Sequence, residues 1–345
     1  MTDAFLQEEL AAQPGVVERL LRDESGAIAE AGRLAAEADV RSVMIAARGT
    51  SDNAARYAQH LFGRFLGLPV ALATPSLTTL YGAGPRLERT LVIGISQSGE
   101  SPDVCAVVQD ASEQGQATVA ITNAPASPLA RTAEATIDIG AGAEQSVAAT
   151  KTYTASLAAI AALTAQMAGE GVLRADLQSI GASMQTQLEL GTGSSAEALE
   201  GIDRCALAGR GPNYATAFEA ALKIKELTGI AAEPYSPADL MHGPVAVLGP
   251  GSPLIAFALA GPALSSIVDA EREAAERGAV RLAITDSPQA GFAEGCEILR
   301  LTGTPEWLSP LVAILPAQIL AARVATERGL AVDRPFGLSK VTRTL

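Results

Sequence analysis

Sulfur, imidazole and aromatic rings are scarce in this chain of 345 residues, which holds three cysteines, two histidines and 4% Phe, Trp and Tyr. Cys105, Cys205 and Cys296 are odd in number, widely spaced and form no Cys-x-x-Cys pair, so neither a disulfide framework nor a zinc site is expected and a reducing cytoplasm fits. With His60 and His242 as the only imidazoles and no acidic cluster at ligand spacing, a metal enzyme is not expected, and no cofactor is called for. Basic residues are few as well: 25 Lys+Arg against 38 Asp+Glu give a net charge of −13, which argues against nucleic acid or an anionic membrane and leaves small molecules as partners. The start, Met-Thr-Asp-Ala-Phe-Leu-Gln-Glu-Glu-Leu, lacks the basic and apolar regions of a secretory signal. Residues 243–268 carry no charge, but Pro244, Pro250, Pro253 and Pro262 make them a turn feeding a strand, Leu254 to Leu259, rather than a membrane span.

What the chain does have is apolar mass, 48% of its residues, enough for two ordinary cores. It also has one conspicuous loop. Leu91, Val92, Ile93 and Ile95 read as a buried parallel strand that runs into Ser96-Gln97-Ser98-Gly99-Glu100-Ser101 just before a predicted helix. Hydroxyls and free N–H groups at a helix N-terminus suit a phosphate monoester. Taken alone, the same residues also suit a strand-to-helix turn with an N-cap serine. In parallel sheets ligands lie beyond the carboxyl ends of strands, so Gly49, Thr50 and Ser51, after an earlier strand, are expected beside the Ser96 loop.

The chain repeats itself at an offset of about 162 residues. Val43–Gly49 aligns with Cys205–Gly211, Leu91–Ile93 with Leu254–Ala256, Val119–Asn123 with Leu282–Asp286, and Ile137–Ile139 with Leu299–Leu301. Helical stretches at 52–66, 102–114 and 151–168 are mirrored at 214–228, 265–277 and 308–328. Strand and helix alternate, so each half is expected to be α/β, a doubly wound parallel sheet covered on both faces. Five segments follow: helices over 1–37, a first domain over 38–168, a helical crossover over 169–200, a second domain over 201–333, and a tail over 334–345. Where the first half has Ser96 to Gly99, this alignment gives the second Leu259-Ala260-Gly261-Pro262, so only the first is expected to seat phosphate.

Arg48-Gly49-Thr50-Ser51, Ser96 to Ser101, Glu144 to Lys151, Ala221-Leu-Lys-Ile-Lys-Glu226, Leu240-Met-His-Gly-Pro244 and Arg334 to Lys340 together resemble the tandem sugar-isomerase (SIS) family, most closely the isomerase half of glucosamine-6-phosphate synthase. The resemblance runs from about residue 38 to the C-terminus. It implies two flavodoxin-like SIS domains with flanking helices. It implies Ser96, Gln97, Ser98 and Ser101 at the phosphate, Ser51, Val147 and Lys223 at the sugar, and Ser339 near it. Glu226 then moves a proton between C1 and C2, His242 opens the ring, and Lys340 forms an imine with the open-chain ketose. By spacing alone, Glu226 would be a solvated helix glutamate beside an i,i+4 pair, Glu219 and Lys223; His242 would be a turn residue and Lys340 a tail lysine.

In the family the histidine reaches a neighbouring subunit's site, so the resemblance implies a homodimer with shared active sites. Ala149 stands where the synthase has serine, and the tail after the lysine, Val341 to Leu345, also differs. No glutamine-hydrolysing domain precedes residue 38, so the expected reaction is glucosamine 6-phosphate to fructose 6-phosphate plus ammonia. Alternatives are a deglycase of a phosphorylated sugar–amine adduct and a sugar-phosphate sensor. His60, Lys151 and Tyr153 receive no role.

Overall fold

The computed structural model describes residues 4–191, 199 and 201–340. The chain divides into two compact units. One comprises Ala12–Glu144, Ala149–Gly181 and the tail from Ser339; the other comprises the chain up to Ala11, Gln145–Ala148 and Ala182–Leu338. Helices α1 (Ala4–Asp23) and α2 (Ser25–Glu37) precede the first strand, as their apolar stripe predicts.

The first sheet is built from β1 (Ser42–Ala46), α3 (Thr50–Leu66), β2 (Val70–Leu72), α4 (Pro75–Thr79), β3 (Thr90–Ile95), α5 (Pro102–Glu113), β4 (Thr118–Thr122), α6 (Pro128–Thr132) and β5 (Ala135–Asp138). Its order is β2-β1-β3-β4-β5, every pairing parallel. Every residue of β3 and β4 is buried, which is why both read as unbroken apolar runs rather than alternating ones. Ala-rich α7 (Lys151–Ala168), buried through Ala165, packs against α2 and α3. The crossover is helical as far as it is described, with α8 (Gly171–Gln178) and α9 (Ile180–Leu190). Residues 192–198 and 200 of that expected crossover, and Val341 to Leu345, lie outside the described residues.

The second unit repeats the plan with β6 (Arg204–Ala208), α10 (Asn213–Thr228), β7 (Ala231–Tyr235), α11 (Pro237–Met241), β8 (Leu254–Phe257), α12 (Leu264–Glu276), β9 (Arg281–Thr285), β10 (Glu297–Arg300) and α13 (Ser309–Glu327). Read from its other edge, the sheet runs β7-β6-β8-β9-β10, the order of the first. Among the described residues, one helix is long and apolar enough to cross a membrane, Glu306–Glu327; the apolar window is 83% buried within the protein, as a core helix.

Two findings amend the sequence reading. Edge strands β2 and β7 were not expected; β2 has three residues, and β7 contains Pro234, tolerable only where a strand has no second neighbour to bond. The repeat also slips by one residue at the third strand. Met44 pairs with Val92 while Ala206 pairs with Leu254, so Leu254 corresponds to Val92 and not to Leu91. The helices that follow, beginning at Pro102 and Leu264, keep the same shift. The counterpart of Ser96-Gln97-Ser98-Gly99-Glu100-Ser101 is therefore Ala258-Leu259-Ala260-Gly261-Pro262-Ala263.

Candidate active site

The Ser96 loop leaves the carboxyl end of β3 and enters α5 at Ser101, the N-cap, with Pro102 at the first helical position, where its missing N–H is no loss. The N–H of Gly99 is donated to the Ser96 carbonyl and to Ser96 Oγ, each at 3.2 Å, and Ser98 Oγ accepts the N–H of Glu100 at 3.3 Å. Gly99 is held at φ 61°, and a Cβ there would overlap the Ser127 side chain, so only glycine fits. Ser101 makes no side-chain capping bond. The loop thus keeps hydroxyl and backbone donors unspent at the positive end of a 12-residue helix, the electrostatic setting for an anion.

Arg48, at the end of β1, is ion-paired with Asp103 in the first turn of α5 through Nη2, with Nε also donating at 3.0 Å. Asp103 is only 1% exposed. Because β1 and β3 are parallel neighbours, this pair ties the residue ahead of Gly49-Thr50-Ser51 to the first turn of the helix that follows the Ser96 loop. Gly49 sits at φ 54° as the N-cap of α3 with open space where a side chain would be.

The tail reaches this same unit. Glu144, buried, accepts hydrogen bonds from the N–H groups of Thr150 (3.0 Å) and Thr152 (3.1 Å), from Thr152 Oγ1 (2.7 Å), and from Lys340 Nζ at 2.6 Å. Burial pushes its carboxyl up, but the Lys340 charge and these hydrogen bonds outweigh burial and hold it below its ordinary value. Ser339 beside it is exposed. Sequence reasoning gave Glu144 no role, although an acidic residue just ahead of a helix N-terminus was a usable signal.

In the second unit, α10 presents Glu219, Lys223 and Glu226 on one face. Lys223 Nζ lies 2.5 Å from Glu226 Oε2 and 3.4 Å from Glu219 Oε1. The face is not solvated: side-chain exposure is 0% for Glu219 and 1% for Lys223, but 24% for Glu226. Lys223, which the resemblance places at the sugar, sits between two carboxylates and fixes the one that remains accessible. A cleft of about 600 Å³ opens at Glu226, lined also by Thr228, Leu330, Arg334 and Pro335. His242, exposed at the end of α11, is not among the residues lining that cleft. Val147 is half-buried and donates its N–H to the Asp333 carbonyl at 3.0 Å.

The SIS domain model matches the chain twice, at residues 38–166 and 198–328. The chain belongs to the SIS family. It is 35% identical over 354 residues to a glutamine–fructose-6-phosphate aminotransferase (isomerizing) of Gloeobacter violaceus, covering 97% of this chain and 58% of that protein. The chain therefore spans well under two thirds of the curated relatives it matches. Among solved structures, a candidate phosphosugar isomerase from Silicibacter pomeroyi DSS-3 matches with TM-score 0.88 and 33% identity, covering 96% of this chain and 99% of that one. The C-terminal domain of glucosamine-fructose-6-phosphate aminotransferase from Francisella tularensis matches with TM-score 0.87 and 25% identity, covering 96% and 98%.

The two SIS domains differ in chemistry at the loop after their third strand. Ser96, Ser98 and Ser101 of the first correspond to Ala258, Ala260 and Ala263 of the second, so every hydroxyl is gone. In the second SIS domain, burial pushes the Cys205 thiol up to about 12, and burial together with Glu271 does the same to Cys296. Burial also raises Cys105, in the first SIS domain. None of the three is poised as a thiolate near neutral pH. A separate hollow of about 460 Å³ near α1, α7 and α8, lined by Leu21, Ile28 and Arg174, holds none of the residues named from the sequence.

Proposed function

We propose that this SIS protein is an amino-sugar-phosphate isomerase that converts glucosamine 6-phosphate and water to fructose 6-phosphate and ammonia. The observation that carries this reading is the Ser96–Ser101 loop, whose hydroxyls and free N–H groups stand at the N-terminus of α5 without a competing acidic side chain bonded to them. The relatives' names support a six-carbon sugar phosphate as substrate class. In this reading Ser96, Gln97, Ser98 and Ser101 hold the phosphate, with Gly49, Thr50 and Ser51 beside them.

Glu226, accessible and fixed by Lys223, takes the proton from C2 of the ring-opened aldose and returns it to C1. That shift turns the C2 amine into an imine, which water cleaves to the ketose and ammonia. His242 passes the proton that opens the ring, reaching the site of a second copy in a homodimer. Lys340 Nζ is ion-paired with Glu144, so its attack on the ketose requires that pair to part.

The test is a coupled assay for ammonia and fructose 6-phosphate on glucosamine 6-phosphate, its N-acetyl derivative and its epimers. Glu226→Gln is expected to lower turnover at least about 100-fold while phosphosugar binding stays nearly intact. Unchanged turnover would remove the carboxylate from the mechanism. Activity confined to bulkier sugar–amine adducts would assign a deglycase, and binding without turnover a sensor.

A further inference from the structure

The duplication supplies an internal comparison at the phosphate loop that points to one more residue. From the last residue of β4 the chain reads Thr122-Asn123-Ala124-Pro125, and from the last residue of β9 it reads Thr285-Asp286-Ser287-Pro288. Both threonines donate Oγ1 to a carbonyl of the loop after the third strand and accept the N–H two residues on, although the acceptor carbonyls, Gln97 and Ala258, stand one position apart in the corrected register. Thr122 donates to the Gln97 carbonyl at 3.4 Å and accepts the Ala124 N–H at 3.2 Å; Thr285 donates to the Ala258 carbonyl at 2.5 Å and accepts the Ser287 N–H at 2.9 Å. Ile121 pairs with Ile95 and Ile284 with Phe257, their counterparts on the third strands, so Asn123 and Asp286 are the same position in two copies.

They act oppositely on the neighbouring loop. Asp286 Oδ1 accepts the backbone N–H of Ala260 at 2.8 Å. By the corrected register, Ala260 corresponds to Ser98, so the second domain closes with a carboxylate the amide that the first leaves without a bond. Asn123 instead turns its amide away: Oδ1 accepts the Ala141 N–H and Nδ2 donates to the Gly142 carbonyl, both at 2.8 Å. Its backbone stays on the loop, its N–H donated to the Gln97 carbonyl at 3.1 Å.

We infer that Asn123 is a specificity-determining residue: its neutral side chain, tied to residues 141 and 142, leaves the Ser98 N–H open to the phosphate of the substrate, where the acidic counterpart Asp286 shuts the equivalent position. This rests on the proposed role of the Ser96 loop. An aspartate at 123 would lose its donor to the Gly142 carbonyl, be repelled by that oxygen, and be free to cap Ser98 as Asp286 caps Ala260. It would also set a negative charge beside the dianion, and like charges in contact are strongly unfavourable.

The experiment is calorimetric titration of the full chain with inorganic phosphate, comparing wild type with Asn123→Asp and Asn123→Ala. Asn123→Asp is expected to weaken binding at least about tenfold and Asn123→Ala less than about threefold, because the alanine removes the same two hydrogen bonds without adding charge. Equal losses in both variants would overturn the inference, as would phosphate binding by Asn123→Asp at wild-type strength. If wild type binds no phosphate, the reading of the Ser96 loop itself fails, a distinct result. Should thermal unfolding show that Asn123→Asp is not folded, Asp286→Asn tests the closing device in the second domain. There, hydrogen exchange at the Ala260 amide must accelerate, and unchanged exchange would refute the capping argument.

Discussion

Removing the ammonium of Lys340 tests the electrostatics of Glu144 most directly. Glu144 is a buried carboxylate whose four hydrogen bonds come from Thr150 N–H, Thr152 N–H, Thr152 Oγ1 and Lys340 Nζ. Its carboxyl lies below the ordinary 4.5 because the Lys340 charge and the hydrogen bonds prevail over burial. A group with a lowered folded pKa adds stability above its unfolded value, and that stability is lost as pH falls through the folded value. The charge-assisted bond at 2.6 Å is worth about 2 kcal/mol, or roughly 30-fold in a local opening equilibrium.

Lys340→Ala should therefore speed hydrogen exchange at the Thr150 and Thr152 amides about 30-fold at pH 7. At a pH low enough to protonate the carboxyl in both proteins, the two should differ by less than about threefold. Comparing variant with wild type at each pH cancels the intrinsic exchange rate. Equal acceleration at both pH values would refute the ion-pair argument, because a purely steric loss has no reason to titrate with a carboxyl group.

Two further perturbations follow from buried charge. Arg48→Ala deprives the buried Asp103 carboxylate of its guanidinium and is expected to cost about 3 kcal/mol in urea unfolding, of which Asp103→Asn in the same chain restores at least half; a single variant as stable as wild type would contradict this. Lys223→Met takes the ammonium from between Glu219 and Glu226, with an expected cost of about 3–5 kcal/mol, and adding Glu219→Gln should recover much of the stability but not turnover. Full activity of that double variant would show that Glu226 does not depend on Lys223.

Central strands and long helices were legible because each is dictated locally: β3 and β4 are buried, largely apolar runs, α7 is an Ala-rich run without proline, and α13 stays apolar through Pro316 in its interior. Edge strands β2 and β7 were not. Their residues are half-exposed, so nothing in their pattern separates them from loop. The one-residue slip at Leu254 arose because continuous apolar runs align equally well at neighbouring offsets, and only pairing to β6 fixes them. Ser96 to Ser101 could be found from the strand, the glycine and the hydroxyls together. The burial of Glu219 and Lys223 could not, since i,i+4 charges look alike on solvated and covered helix faces, and the packing of α13 against α10 is a long-range fact.

The contact between Glu144 and Lys340 also bears on how the protein is made. The partners are separated by 196 positions, yet both belong to the unit built on the first sheet. During synthesis, the ribosome must translate the whole second SIS domain before Glu144 meets its cation. Until then, the nascent first domain carries a carboxylate that its finished form neutralises, so this step of its consolidation follows translation of the second SIS domain rather than amino-to-carboxyl order.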